Sequence, residues 1–177
     1  MSNKQIKYEN PSRLKEMNPE KTLQRIGLQD GHVVCDIGAG SGIFTVPAAM
    51  MTHSTVYALD ISEEMLDIID EKAKTMILPH IKTMKVQGDS FGVPHGCTDI
   101  VLMVTVLHEI PEKTAFISNA KKLLTACGKI AVIEFHKRAT PSGPPPSHRL
   151  AKEDLTKAMA DTGLILVESF DLGGNFY

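Results

Sequence analysis

The sequence predicts an α/β fold, a three-layer α/β/α sandwich on a mostly parallel sheet. Short apolar runs rich in β-branched residues recur at 33–37, 54–59, 81–86, 99–104 and 129–135, with segments of helical period between them. The run 99–104, Asp-Ile-Val-Leu-Met-Val, is almost continuously apolar, the pattern of a strand buried on both faces. Gly38, Gly40 and Gly42 follow the first run at alternate positions and lead into a helical segment over 43–50. A strand, a glycine turn and a helix start bring bare backbone close to a ligand, because glycine permits the tight turn and has no Cβ in the way.

Composition fits one soluble domain spanning residues 1–177, with 1–27 as an N-terminal helical segment. Nineteen basic and 21 acidic residues give a net charge of −2 without any basic block, so a nucleic-acid partner is not expected. No run approaches the roughly 20 apolar residues of a membrane span, and Met1-Ser2-Asn3-Lys4-Gln5 lacks an apolar signal core. The expectation is a cytoplasmic protein with no membrane partner. Cys35, Cys97 and Cys127 form no Cys-x-x-Cys pair, and Cys35 and Cys127 read as small core residues. His32, His53, His80 and His95 are scattered without helical spacing, so no metal site is expected.

Asn10-Pro11 and Asn18-Pro19 each place a capping residue before a proline at a helix start, and Gly27 ends the second helix. Leu14, Met17, Leu23 and Ile26 face a core. The second strand ends on Asp60, about 20 residues past the glycines, where a carboxylate can accept both hydroxyls of a ribose. Ser62, followed by Glu63 and Glu64, is the better helix cap, which leaves Asp60 free. The helix beyond it buries Met65, Leu66, Ile68 and Ile69, and Met65 lies near enough to its start to touch a base. Gly88-Asp89-Ser90 follows strand three.

Strand four ends at Thr105-Val106-Leu107-His108-Glu109, beside the switch point where doubly wound sheets bind ligands. Thr105 is therefore assigned to the ligand side. His108 could accept a proton, with neighbouring Glu109 as its orienting partner, although adjacent residues rarely face each other. Pro111 starts a helix that Gly128 follows, and strand five carries Glu134, with His136 just beyond. The proline-rich segment 137–149 reads either as a flap or as a stiff connection. A helix over 150–162, a sixth strand over 164–170 and a turn at Gly173-Gly174 close the pattern.

Asp36-Ile37-Gly38-Ala39-Gly40-Ser41-Gly42 resembles the first motif of class I S-adenosylmethionine-dependent methyltransferases, of the small single-domain type similar to the ubiquinone and menaquinone biosynthesis enzymes. Electrostatics points the same way. A dinucleotide's pyrophosphate would be repelled by Asp36, whereas a cationic sulfonium ligand would be attracted. The resemblance implies a Rossmann-like seven-stranded sheet of order 3-2-1-4-5-7-6, with strand seven antiparallel. It implies a cofactor set of Asp36, Gly38, Ala39, Gly40, Gly42, Asp60, Ile61, Met65, Asp89, Ser90 and Thr105, with Asp89 on the adenine amino group. It also implies an N-terminal segment that folds over the cofactor, where Tyr8 could pack on it. His108, Glu134 and His136 are the catalytic candidates on the side of a small-molecule methyl acceptor. A nicotinamide-dependent oxidoreductase and a non-catalytic S-adenosylmethionine-binding protein are the competing readings. The three residues after Gly173-Gly174 are too few for a full strand seven. The expectation is therefore a gap in the sheet, closed by further native residues, a loop or a partner chain, with homo-oligomerisation through this edge.

Overall fold

The computed structural model describes residues 9–88, 90–141 and 143–177. Two short helices, α1 (Pro11–Met17) and α2 (Pro19–Arg25), open the described chain. Both caps are as predicted: the side chain of Asn10 accepts from Ser12 N at 2.9 Å and that of Asn18 from Lys21 N at 3.4 Å. Met17 and Leu23 are fully buried. The order then runs β1 (Val34–Ile37), α3 (Thr45–Thr52), β2 (Val56–Asp60), α4 (Glu63–Thr75), β3 (Ile81–Lys85) and β4 (Thr98–Val104). A 3₁₀ turn at Leu107–Glu109 follows, then α5 (Lys113–Lys121), β5 (Leu124–Ile133), a second 3₁₀ turn at Pro146–His148 and α6 (Lys152–Asp161).

The sheet has five parallel strands in the order β3-β2-β1-β4-β5. The reversal between β1 and β4 sets the switch point where predicted. Period two sorts the strand residues onto two faces. Val34, Ile100, Leu102 and Val104 pack with Phe44, Ala48, Ala49, Met17 and Leu23 on the side of α2 and α3. Cys35, Ile37, Val101 and Met103 pack with Phe116, Ile117, Ala120 and Leu155 on the side of α5 and α6. β1 and β4 are thus apolar on both faces, which is why their sequences run almost without polar residues.

Three predictions need correction. Among the described residues the sheet has five parallel strands, not the seven expected. Residues 164–170 make no strand, and the antiparallel element is reduced to bridges in which 175–177 lie against 134–136, with Tyr177 N and O both bonded to Glu134 at 2.9 Å. Residues 175–177 lie against 134–136 and pair with no residue of β5 itself. Gly128 does not stop a helix. It sits within β5 at a register shift, where an added Cβ would lie 2.8 Å from the carbonyl oxygen of Thr98. Glycine there serves close backbone approach, a use that sequence cannot distinguish from a cap. Cys127 is exposed, because it lies on the outer strand beside that shift.

Candidate active site

The glycine loop joins β1 to α3, and its residues are held by neighbouring strands. Gly38 N and Ala39 N both donate to Leu59 O at 2.8 and 2.9 Å. Gly38, Gly40 and Gly42 have φ of 74°, 53° and 82°, the left-handed region that favours glycine. A Cβ on Gly38 would collide with Cγ2 of Val106. Gly38→Ala should therefore destabilise the fold by about 2–4 kcal/mol, combining left-handed strain with overpacking. Thermal denaturation compared with a Gly31→Ala control, which has positive φ but open space around it, separates the two contributions.

Asp60 departs from the expectation that it is free. Its Oδ2 accepts from Gly40 N at 2.8 Å and its Oδ1 from Ser62 N at 2.8 Å. Ser62 does occupy the cap position, but its side chain makes no capping bond. Asp60 thus fixes the loop and the start of α4 together, and each carboxylate oxygen keeps a further acceptor site for a ligand hydroxyl. Lys72 of α4 reaches back to donate to Ser41 O at 2.8 Å and pairs with Glu9 at 2.5 Å. Neither Lys72 nor Glu9 stood out in the sequence, since each looks like an ordinary surface charge.

Asp36 is 2% exposed and accepts from Thr45 Oγ1 at 2.6 Å. Burial pushes its carboxyl up to about 6, with the Thr45 bond pulling it down and nearby Asp60 pushing it up. A cation bound there would stabilise the charged form and expel the proton. Affinity for a cationic ligand should then rise about tenfold from pH 5 to pH 7 and level off above. Affinity for an uncharged thioether analogue should change much less. Calorimetry across that range with both ligands checks the prediction, and parallel pH curves would contradict it.

The other predicted cofactor residues divide. Thr105 stands at the end of β4 with φ of 55°, a left-handed conformation that a β-branched residue rarely adopts. Its hydroxyl accepts from Arg13 Nη2 of α1 at 2.9 Å. Arg13 also lies over the rings of Phe135 and Phe176 at 5.6 and 5.7 Å. It was missed in the sequence because its helix is polar and distant in the chain. Met65 is buried in α4 at 2% exposure, whereas Ile61 is 73% exposed. Ser90 is exposed and lines an open cavity of about 480 Å³ with Gln87, Phe91, His95, Asn119 and Lys122. Asp89 and Tyr8 lie outside the described residues.

Strand pairing brings His108 and Glu134 together from β4 and β5. His108 Nδ1 is 2.8 Å from Glu134 Oε2, and His108 N donates to Glu134 Oε1 at 3.2 Å. The side chains are 9% and 1% exposed. The hydrogen bond with Glu134 raises the His108 pKa above the ordinary imidazole value, against the lowering effect of burial. Glu109, the neighbour that the sequence offered as orienting partner, is 74% exposed and 3.8 Å from Nε2. Glu134 takes Nδ1 across the strand pair at hydrogen-bond distance, while the exposed Glu109 carboxylate approaches Nε2 only at ion-pair range. His136 packs on the Tyr177 ring at 5.5 Å and lies 3.4 Å from Asp171. Burial and then Glu134 push the Tyr177 hydroxyl up, and it donates to Leu150 O at 3.0 Å.

Fold and site together define a nucleoside-binding α/β enzyme whose acidic loop suits a cationic ligand. A family model for the methyltransferase domain matches residues 35–132, and the chain belongs to the class I S-adenosylmethionine-dependent methyltransferases. The crystal structure of a SAM-dependent methyltransferase from Aquifex aeolicus is similar, with a TM-score of 0.88 and 27% identity over 94% of this chain and 90% of that one. The demethylmenaquinone methyltransferase of Tropheryma whipplei (strain Twist) is 32% identical over 110 residues, 62% of this chain and 44% of the relative. The ubiquinone/menaquinone biosynthesis C-methyltransferase of Marinomonas sp. (strain MWYL1) is 25% identical over 119 residues, 66% of this chain and 47% of the relative. The chain spans about half the length of the curated relatives it matches.

S-adenosylmethionine is accordingly the cofactor, and the loop fits it. The loop offers backbone that a Cβ would block, two carboxylates for a cationic ligand, and Ser41 Oγ, a buried hydroxyl with no hydrogen-bond partner in the described structure. Among the described residues no helix is long and apolar enough to cross a membrane.

Proposed function

We propose that this methyltransferase acts on a small-molecule acceptor that must lose a proton when it is methylated, and that His108 takes the proton. The carrying observation is the buried His108–Glu134 pair. When Nδ1–H donates to the carboxylate, Nε2 is left as the basic nitrogen. Glu134 orients the ring and stabilises the imidazolium that forms. Bound S-adenosylmethionine supplies the electrophilic methyl on a sulfonium centre. Asp36, the glycine loop with Ala39, and Thr105 would hold its aminoacyl part. Asp60 with Ile61 would hold the ribose, and Met65, Asp89 and Ser90 would face the adenine. His136, two residues past Glu134, would line the acceptor side. Alignment of acceptor and cofactor is the main contribution asked of these residues.

The names of the relatives point to a quinone-type ring as acceptor, where carbon methylation requires a proton to leave. The test is a methyl-transfer assay on reduced quinones and naphthols, with product mass as the readout. Wild-type protein should add one methyl group to at least one ionisable acceptor, and His108→Gln should lose turnover while keeping cofactor affinity. Equal activity in the variant, or transfer only to acceptors with no proton to lose, would overturn the reading. Self-association through the C-terminal side of the sheet and action in the cytoplasm belong to the same proposal.

A further inference from the structure

Helix α1 brings a cation to the carboxyl end of β4. Arg13 Nη2 donates to Thr105 Oγ1 at 2.9 Å, and its guanidinium lies over the rings of Phe135 and Phe176, 5.6 and 5.7 Å from their centroids. Those rings are 4.5 Å apart and 3% and 1% exposed, so they form a fixed shelf for the charge. The shelf is tied to α1 a second time. Glu16 accepts from Gly174 N at 2.5 Å, Asn175 N at 2.7 Å and Asn175 Nδ2 at 2.6 Å, in the turn that leads into Phe176. Side chains three apart on a helix are neighbours, so Glu16 and Arg13 hold the same stretch of chain from one face of α1. Thr105 has a φ of 55°, and its N–H donates to Ile133 O at 2.7 Å. A β-branched residue persists in that conformation only where its surroundings hold it, and such outliers cluster at ligand clamps. The next residue, Val106, abuts the glycine loop, since a Cβ on Gly38 would collide with its Cγ2. Arg13 is thus bonded to the strand end that packs on the loop.

The aminoacyl end of the cofactor is zwitterionic, with an ammonium and a carboxylate on one carbon. Asp36 suits the ammonium and the sulfonium, but it repels the carboxylate, and Asp60 adds to that repulsion. Binding the whole amino acid therefore calls for a cation on the carboxylate. Lys72 reaches the loop, but it is paired with Glu9 at 2.5 Å and bonded to Ser41 O at 2.8 Å. A guanidinium can serve a hydroxyl and a carboxylate together, because its N–H groups fan out in one plane. We propose that Arg13 binds the α-carboxylate of S-adenosylmethionine, with Thr105 and the Phe135–Phe176 shelf setting the plane of its guanidinium. This role rests on the aminoacyl part lying against Asp36 and Thr105. Arg13 then determines specificity within the cofactor site: a ligand that keeps the adenosine and the sulfonium but lacks the carboxylate forfeits the contact.

The test compares S-adenosylmethionine with its decarboxylated analogue, which keeps the sulfonium and the amine. Calorimetry on the wild-type chain should show S-adenosylmethionine binding at least about tenfold more tightly, the scale of one hydrogen bond to a charged group. Arg13→Met keeps an apolar stem on the two rings and removes the charge. It should weaken S-adenosylmethionine by at least about tenfold, leave the analogue nearly unchanged, and so erase the preference. S-adenosylhomocysteine, which keeps the carboxylate and loses the sulfonium charge, should weaken in the same proportion. Arg13→Lys keeps a charge without the planar fork and should retain only part of the preference. If Arg13→Met does not fold, Arg13→Lys decides, and an undiminished preference there overturns the proposal. A wild type without preference overturns it too, as does an equal loss of both ligands in Arg13→Met, which would mean that Arg13 only supports the fold. Asp36→Asn separates this role from the placement it rests on. Weaker S-adenosylmethionine binding in Asp36→Asn, with the preference intact in Arg13→Met, overturns the role of Arg13 alone. Unchanged binding in Asp36→Asn removes the aminoacyl part from this end of the site and overturns both.

Discussion

Replacing Asp60 by alanine should weaken S-adenosylmethionine binding roughly 10- to 150-fold, the range set by about 1.5–3 kcal/mol for a hydrogen bond to a charged group. Two losses combine in this variant. The direct loss is the carboxylate acceptor offered to the ribose hydroxyls. The indirect loss is the pair of bonds from Gly40 N and Ser62 N, which hold the loop backbone and the α4 start in place. Asp60→Asn keeps a carbonyl acceptor for one of those N–H groups and should fall between wild type and alanine. Isothermal calorimetry gives the affinities, and thermal melting confirms that each variant is folded. An alanine variant that is folded and binds as well as wild type would remove Asp60 from the cofactor site.

The second large effect is expected at Glu134. Glu134→Gln preserves shape but not hydrogen bonding. The carboxylate receives two donors, His108 N and Nδ1, on its two oxygens. An amide has one acceptor oxygen and one donor nitrogen, so one of those donors is left facing a donor, or the imidazole switches tautomer and Nε2 ceases to be basic. Loss of a positioned base costs on the order of 10²–10⁴ in rate, so kcat should drop at least about 100-fold with cofactor affinity nearly unchanged. The pH profile gives an independent readout. Glu134 raises the His108 pKa, and the base acts when neutral, so wild-type activity should climb through a pH range above the ordinary imidazole value. Without the carboxylate that limb should move to lower pH. A variant with unchanged kcat, or with the acid limb unmoved, would show that the pair is structural.

Much of this was legible before any coordinates. The alternation of β-branched runs with helical segments gave the element order as far as α6, because a strand buried on both faces is apolar along most of its length, as Ile100–Val104 of β4 is. The spacing Gly38, Gly40 and Gly42 marked a tight loop after β1, because glycine best tolerates the left-handed backbone and close approach found there. The asparagine–proline caps of α1 and α2 were equally local. Each of these rests on interactions within one element or one turn, and sequence records such interactions directly.

What tertiary structure decided lies between elements. Sequence could place His108 at the end of β4 and Glu134 near the end of β5, but only parallel pairing of those strands puts the two side chains 2.8 Å apart. Sequence offered Glu109 instead, since proximity along the chain was the only proximity it could measure. Arg13 and Lys72 meet the site from helices whose polar surfaces gave no sign of a target. The run 164–170 has the composition of a strand, yet a strand exists only when another backbone takes its hydrogen bonds. Within the described chain no neighbour does so, which is why residues with strong β-propensity stand exposed beside an open edge.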